Sequence, residues 1–115
     1  MKTAAVFFFL FIVLIGALNP AERDFRFKQI SFRQGLSQSI VNCMSQDSQG
    51  YMWFGTEEGL NKYDGYTFKI YAHDPTDPQS LSQNVVMAIW AEGSGILWLG
   101  TVQGGLNRFD PKTEI

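Results

Sequence analysis

The stretch from Gly35 to Asp64 returns later in the same chain, and a chain that repeats itself must fold as repeated units. Leu36-Ser37-Gln38 comes back as Leu81-Ser82-Gln83. Gly50-Tyr51-Met52-Trp53-Phe54-Gly55-Thr56 comes back as Gly95-Ile96-Leu97-Trp98-Leu99-Gly100-Thr101. Gly59-Leu60-Asn61 reappears as Gly105-Leu106-Asn107, and Asp64 as Asp110. The offset is 45 from Trp53 to Trp98 and 46 from Asp64 to Asp110, so one inserted residue, near Gly104, separates the copies. A period of roughly 40–50 residues is that of repeat arrays such as β-propellers.

Each copy reads as a run of short strands. In the first, Ile40 to Gln46, Tyr51 to Thr56, Leu60 to Tyr63 and Tyr66 to Tyr71 are rich in apolar, β-branched and aromatic residues. Turn chemistry separates them. Asp47-Ser48-Gln49-Gly50 offers a carboxylate for backbone amides and a glycine for positive φ. Glu57-Glu58-Gly59 follows, and Asp64-Gly65 predicts a tight I′ hairpin with positive φ at both residues. In the second copy the strands are Val85 to Ala91, Ile96 to Thr101 and Leu106 to Phe109. A turn at Asp110 to Thr113 is expected to lead into a fourth strand.

The fold class is therefore all-β: about two blades of an incomplete propeller, each a four-stranded antiparallel meander. The central strands support it. Tyr51-Met52-Trp53-Phe54 and Ile96-Leu97-Trp98-Leu99 are continuous apolar runs, whereas a strand with one wet face alternates. Strands covered on both faces by neighbouring blades need not alternate. Two blades alone leave wide apolar faces in water, so such a pair is expected to be unstable or prone to association.

Four regions follow. Residues 1–21 read as a secretory signal peptide: Lys2, an apolar run from Ala4 to Leu18, and Ala17 or Ala21 as cleavage points. The run is shorter than the roughly 20 residues of a membrane-spanning helix. Residues 22–34 hold an alternating segment, Phe25 to Ile30, expected to be a ring-closing strand. Residues 35–79 are blade 1 with its linker, in which Asp74-Pro75 and Asp77-Pro78 interrupt any ladder. Residues 80–115 are blade 2, truncated before its fourth strand.

Composition excludes several classes of function. With 9 Lys+Arg against 11 Asp+Glu and no basic run, the segment is no nucleic-acid binder. One histidine, His73, and one cysteine, Cys43, make neither a disulfide nor a zinc site. Cys43 reads as a small core residue. No nucleotide-binding glycine motif, calcium loop or catalytic constellation is present, so no residue is assigned to catalysis, a cofactor or a metal. Trp53 and Trp98, at one repeat position, read as core residues with satisfied indole N–H groups.

The pattern of both copies resembles the two-component regulator propeller repeats. Asp47, Gly50, Trp53, Gly55, Thr56, Gly59, Leu60, Tyr63 and Asp64 carry the match in copy one. Gly95, Trp98, Gly100, Thr101, Gly105, Leu106, Phe109 and Asp110 carry it in copy two, which departs at Glu92, where the pattern has Asp. The resemblance implies the periplasmic sensor region of a bacterial histidine kinase, exported and held at the inner membrane by a downstream helix. It implies an extracellular ligand, with carbohydrate the candidate class, and a homodimer in the intact sensor. Kinase or diguanylate cyclase output, with ATP for a kinase, would lie outside these residues. By position, the linker Ala72 to Gln79 and the turn Glu57 to Gly59 are the candidate ligand surface. The alternative is a secreted propeller lectin or polysaccharide-degrading enzyme.

Overall fold

The computed structural model describes residues 23–115, and the signal-peptide reading lies outside them. Blade 1 consists of β1 (Val41–Gln46), β2 (Met52–Thr56), β3 (Gly59–Tyr63) and β4 (Phe68–Tyr71), antiparallel in the order β1-β2-β3-β4. Blade 2 holds β5 (Val86–Ala91), β6 (Leu97–Thr101) and β7 (Gly105–Phe109), in the order β5-β6-β7. The registers repeat. Trp53 pairs with Lys62 as Trp98 pairs with Arg108, and Gly55 with Leu60 as Gly100 with Leu106. Both first strands carry an irregularity at one place, between Val41 and Cys43 and between Val86 and Ala88.

Cross-strand partners share a sheet face. Cys43, Gly55, Leu60 and Tyr71 therefore line the face of blade 1 turned to blade 2. Ile89 and Leu99 line the opposing face of blade 2 beside Ala91, Leu97 and Phe109. The core is this seam: Trp53, Leu60, Val86, Leu97 and Leu99 are fully buried in it. Trp53 meets Phe109 edge-on at 5.8 Å, and Tyr71 lies 6.0 Å from it. Burying one such side chain stabilises by about 1.5–3 kcal/mol.

One expectation is corrected. Asp64-Gly65 is not a I′ turn, because Gly65 has φ 99° but Asp64 is not at positive φ. The Asp64 carboxylate instead accepts from the Tyr66 and Thr67 amides at 2.8 Å each and from the Thr67 hydroxyl at 3.1 Å. Those amides are engaged there, so β4 begins at Phe68 rather than Tyr66. The segment Phe25 to Ile30 joins neither of these two sheets, and Phe25 and Phe27 are exposed; the ring-closing pairing expected of it concerns a blade other than these two. Alternation marks a segment able to pair; it does not supply the neighbour. The middle strands are covered more on one face than on the other, as two blades alone imply. Trp53 is fully buried toward blade 2, whereas Met52 and Phe54 on the other face are half-buried.

The inserted residue sits in the β6–β7 turn. Blade 1 closes Thr56 onto Gly59, whereas blade 2 closes Thr101 onto Gly105 and takes the extra step through Gln103 at φ 62°.

Candidate functional site

Two polar devices recur in both blades and hold the strands that carry the motif. The first ties the turn to the tryptophan. Asp47 Oδ1 accepts from the amides of Gln49 (2.9 Å) and Tyr51 (3.0 Å), while Oδ2 accepts from the Trp53 indole at 2.8 Å. One carboxylate thus shapes the turn and satisfies a buried N–H. Gly50, at φ 91°, supplies the left-handed step. In blade 2 the longer Glu92 reaches the Trp98 indole at 3.0 Å. The substitution that weakens the sequence pattern keeps its indole bond.

The second device is a serine–threonine–asparagine cluster. The Ser37 amide donates to Asn61 Oδ1 (2.9 Å), Asn61 Nδ2 donates to the Ser37 hydroxyl (2.7 Å), and the Ser37 and Thr56 hydroxyls lie 2.8 Å apart. The Thr56 hydroxyl also accepts from the Glu58 amide and donates to the Gly59 carbonyl. Ser82, Asn107 and Thr101 rebuild the set, with the Ser82 amide 3.1 Å from Asn107 Oδ1 and Asn107 Nδ2 2.7 Å from the Ser82 hydroxyl. Sequence reasoning gave Ser37, Asn61, Ser82 and Asn107 no role. Their recurrence at the repeat offset was the available signal.

The two candidate ligand elements meet at a residue that sequence reasoning also passed over. The Asn84 carbonyl accepts from the Gly59 amide (2.7 Å), and its side chain accepts from the His73 amide (2.7 Å). The turn at 57–59 and the start of the linker are thereby fixed to one strand entry. Gly59 sits at φ 111°, and a side chain there would clash with the Tyr71 carbonyl. The His73 ring Nδ1 lies 2.7 Å from the Leu81 carbonyl.

The linker acids are occupied by their own turns. Asp74 Oδ1 accepts from the Thr76 hydroxyl and amide, bonds that hold its carboxyl below the usual aspartate value. Asp77 accepts from the Gln79 amide, and the Ser80 hydroxyl spans the Asp74 and Asp77 carbonyls. Beside the linker runs a groove of about 300 Å³ lined by Asp74, Asp77, Gln79, Arg108 and Glu114 among others. Glu114 bonds Lys69 and the Tyr71 phenol, which donates to it at 2.9 Å. Burial first, then Glu114, pushes the Tyr71 phenol above its ordinary value. Desolvation likewise raises the Cys43 thiol. Among the described residues no group of three or more His, Cys, Asp or Glu is placed to hold a metal, and no helix is long and apolar enough to cross a membrane.

Four- and three-stranded meanders stacked face to face, with matched tryptophans buried or braced at one position, define a β-propeller repeat protein. Comparison with known proteins gives the particular repeat. Residues 35–58 match the family model described as two component regulator propeller. The chain is 44% identical over 81 residues to Histidine kinase P4 of Formosa agariphila, an alignment covering 70% of this chain and 6% of that protein. It also matches the extracellular domain described as that of a hybrid two component system from B. thetaiotaomicron. There the TM-score is 0.70 and the identity 34%, over 76% of this chain and 12% of the other. Residues 35–58 thus match a two-component regulator propeller repeat, and the second blade repeats its sequence pattern. It spans a small part of the length of both relatives.

Proposed function

We propose that these blades belong to the signal-sensing propeller of a two-component sensor kinase and work outside the cytoplasm, on the periplasmic side of the inner membrane. The observation that carries the reading is the likeness in both sequence and shape to an extracellular domain of a hybrid two-component system. Similarity to a named histidine kinase points the same way.

In this reading the chain contributes no chemistry. Asp47, Asp64, Asp74 and Asp77 serve turns, Glu92 an indole, and Glu114 a lysine and a phenol. Kinase output, ATP and the membrane helix belong to other parts of a longer polypeptide, and the intact sensor works as a homodimer. Ligand binding favours one of two arrangements of the sensor, and the membrane segment carries that bias inward. The ligand class proposed is a carbohydrate fragment. Its surface is the end of the blades where the 57–59 turn and the 72–79 linker meet at Asn84.

The test is calorimetry on the complete extracytoplasmic region with a panel of oligosaccharides. Heat from at least one, lost when the linker surface is altered, is expected. No heat from any, with signalling in cells still responsive, discards direct sugar sensing.

A further inference from the structure

The two copies keep one spacing from Leu36 and Leu81 up to a single turn, where it breaks. Thr56-Glu57-Glu58-Gly59 in blade 1 becomes Thr101-Val102-Gln103-Gly104-Gly105 in blade 2. In blade 1 the Thr56 hydroxyl accepts from the Glu58 amide at 3.0 Å and donates to the Gly59 carbonyl. In blade 2 the Thr101 hydroxyl still donates to the Gly105 carbonyl, at 3.0 Å. Among the described residues, however, neither the Gln103 amide nor the Gly104 amide meets an acceptor. The longer turn also places Gln103 at φ 62°, a left-handed region that side chains other than Asn and Asp seldom enter.

This turn is braced from beneath. The Ser82 hydroxyl donates to the Gly104 carbonyl at 2.7 Å, and the Val102 amide donates to the Val85 carbonyl at 3.0 Å. A side chain at Gly104 would begin 2.6 Å from the Ser82 hydroxyl, so the backbone rests directly on that brace. Gln103 itself is exposed. Its exposure does not depend on a missing neighbour. Glu57 and Glu58, in the equivalent turn of blade 1, stay exposed although the Asn84 carbonyl of the next blade bonds the adjoining Gly59 amide. The repeat also sets the position: the counterpart of the 57–59 turn lies at the same end of the blades as that turn and the linker. Left-handed side chains persist where the surroundings fix them, and they gather at ligand sites.

We propose that the Val102–Gly105 turn is a ligand-contact element of the sensing end, and that Gln103 is the residue that reads sugar hydroxyls there. This rests on the reading that this end of the blades takes a carbohydrate. A carboxamide offers both a donor and an acceptor, which suits neighbouring hydroxyls on one sugar ring. The Gln103 and Gly104 amides add two donors for sugar oxygens. Because the brace holds the backbone already, these groups lose little freedom when a sugar arrives. The blade 1 turn lacks the arrangement, since its Glu58 amide is taken by Thr56.

The test uses the full-length sensor in lipid nanodiscs, with neutral and uronate-containing tetrasaccharides as probes for calorimetry and hydrogen exchange. Glycine adopts positive φ freely, so Gln103→Gly keeps the turn, and unchanged exchange at the Val102 amide reports that it does. The variant is expected to bind the tightest tetrasaccharide about tenfold more weakly, the loss of a carboxamide's hydrogen bonds. In the unaltered protein the same tetrasaccharide is expected to slow exchange at the Gln103 and Gly104 amides. Affinity held within about twofold in Gln103→Gly overturns the proposal and leaves sugar sensing standing. Unchanged exchange at both amides under saturating tetrasaccharide overturns it as well, whatever the variant does. No heat from any tetrasaccharide overturns the carbohydrate reading itself, and this proposal with it.

Discussion

Val86 stands against Gly55 with its Cγ1 2.7 Å from the place a glycine Cβ would occupy, and this contact joins the two blades. Cys43 Sγ crowds the same point. Val86 is fully buried and has no room to swing away. Gly55→Ala is therefore expected to destabilise by about 1–3 kcal/mol through overpacking. Gly100→Ala, with its nearest contact at 3.5 Å, should fall within about 0.5 kcal/mol. Urea unfolding of the two variants side by side makes the comparison. Equal losses would mean that the glycines matter for strand conformation rather than for the seam.

The carboxylate at Asp47 holds two amides and an indole, whereas Glu92 is bonded to the indole. Asp47→Ala leaves a buried tryptophan N–H without an acceptor and frees the turn, for an expected loss of about 2–4 kcal/mol. Asp47→Glu should keep the indole bond and lose the turn bonds, costing about 1 kcal/mol. A glutamate variant as damaged as the alanine one would show that the turn, not the indole, carries the stability.

Leu60 and Leu106 offer a direct measure of how much the seam contributes. Leu60→Ala is expected to cost about 2–5 kcal/mol as a buried large-to-small change. Leu106→Ala in the unassociated chain should change stability by no more than about 0.5 kcal/mol. Chemical denaturation at low protein concentration checks both.

Asn61 is fully buried and its amide serves both Ser37 groups. Asn61→Ala removes the partner of the Ser37 amide and is expected to cost about 1–3 kcal/mol. Hydrogen exchange at Ser37 should accelerate in the variant, and unchanged protection would exclude the asparagine as its partner in solution.

Acid should weaken the fold through a few exposed carboxyls. Bonds from the Thr67 and Tyr66 amides hold Asp64 below the ordinary aspartate value, and Lys69 followed by Tyr71 does the same for Glu114. A native value lower than the unfolded one stabilises at neutral pH. That contribution is complete above the unfolded values of about 4 and disappears as pH falls through the lowered native ones. Tyr71 works in the opposite sense. Its raised value gives stability that is full below the unfolded phenol value of about 10 and is lost as pH climbs through the native one. Urea midpoints across pH should fall at both ends, and Asp64→Asn should flatten the acid limb.

Much of the architecture was legible from residues alone. Periodic Trp-x-Gly-Thr and Gly-Leu-Asn segments fix where strands and turns fall, because side-chain alternation, glycine φ and aspartate capping act within a few residues. Strand limits from the sequence lie within a residue or two of those observed, and the β4 error came from a carboxylate bonding two amides. The polar framework was half legible. Asp47 and Gly50 announce a turn locally, but Ser37 and Asn61 are 24 residues apart and only folding shows them bonded.

The repeat by itself determined that this chain makes twin antiparallel meanders of one register. Tertiary structure alone decided which of each matched pair is core. Leu60 and Leu106 have the same local sequence and the same strand partner type, yet one is dry and the other wet. Burial depends on what lies across the sheet face, roughly 10 Å away in space, and no local pattern records that neighbour.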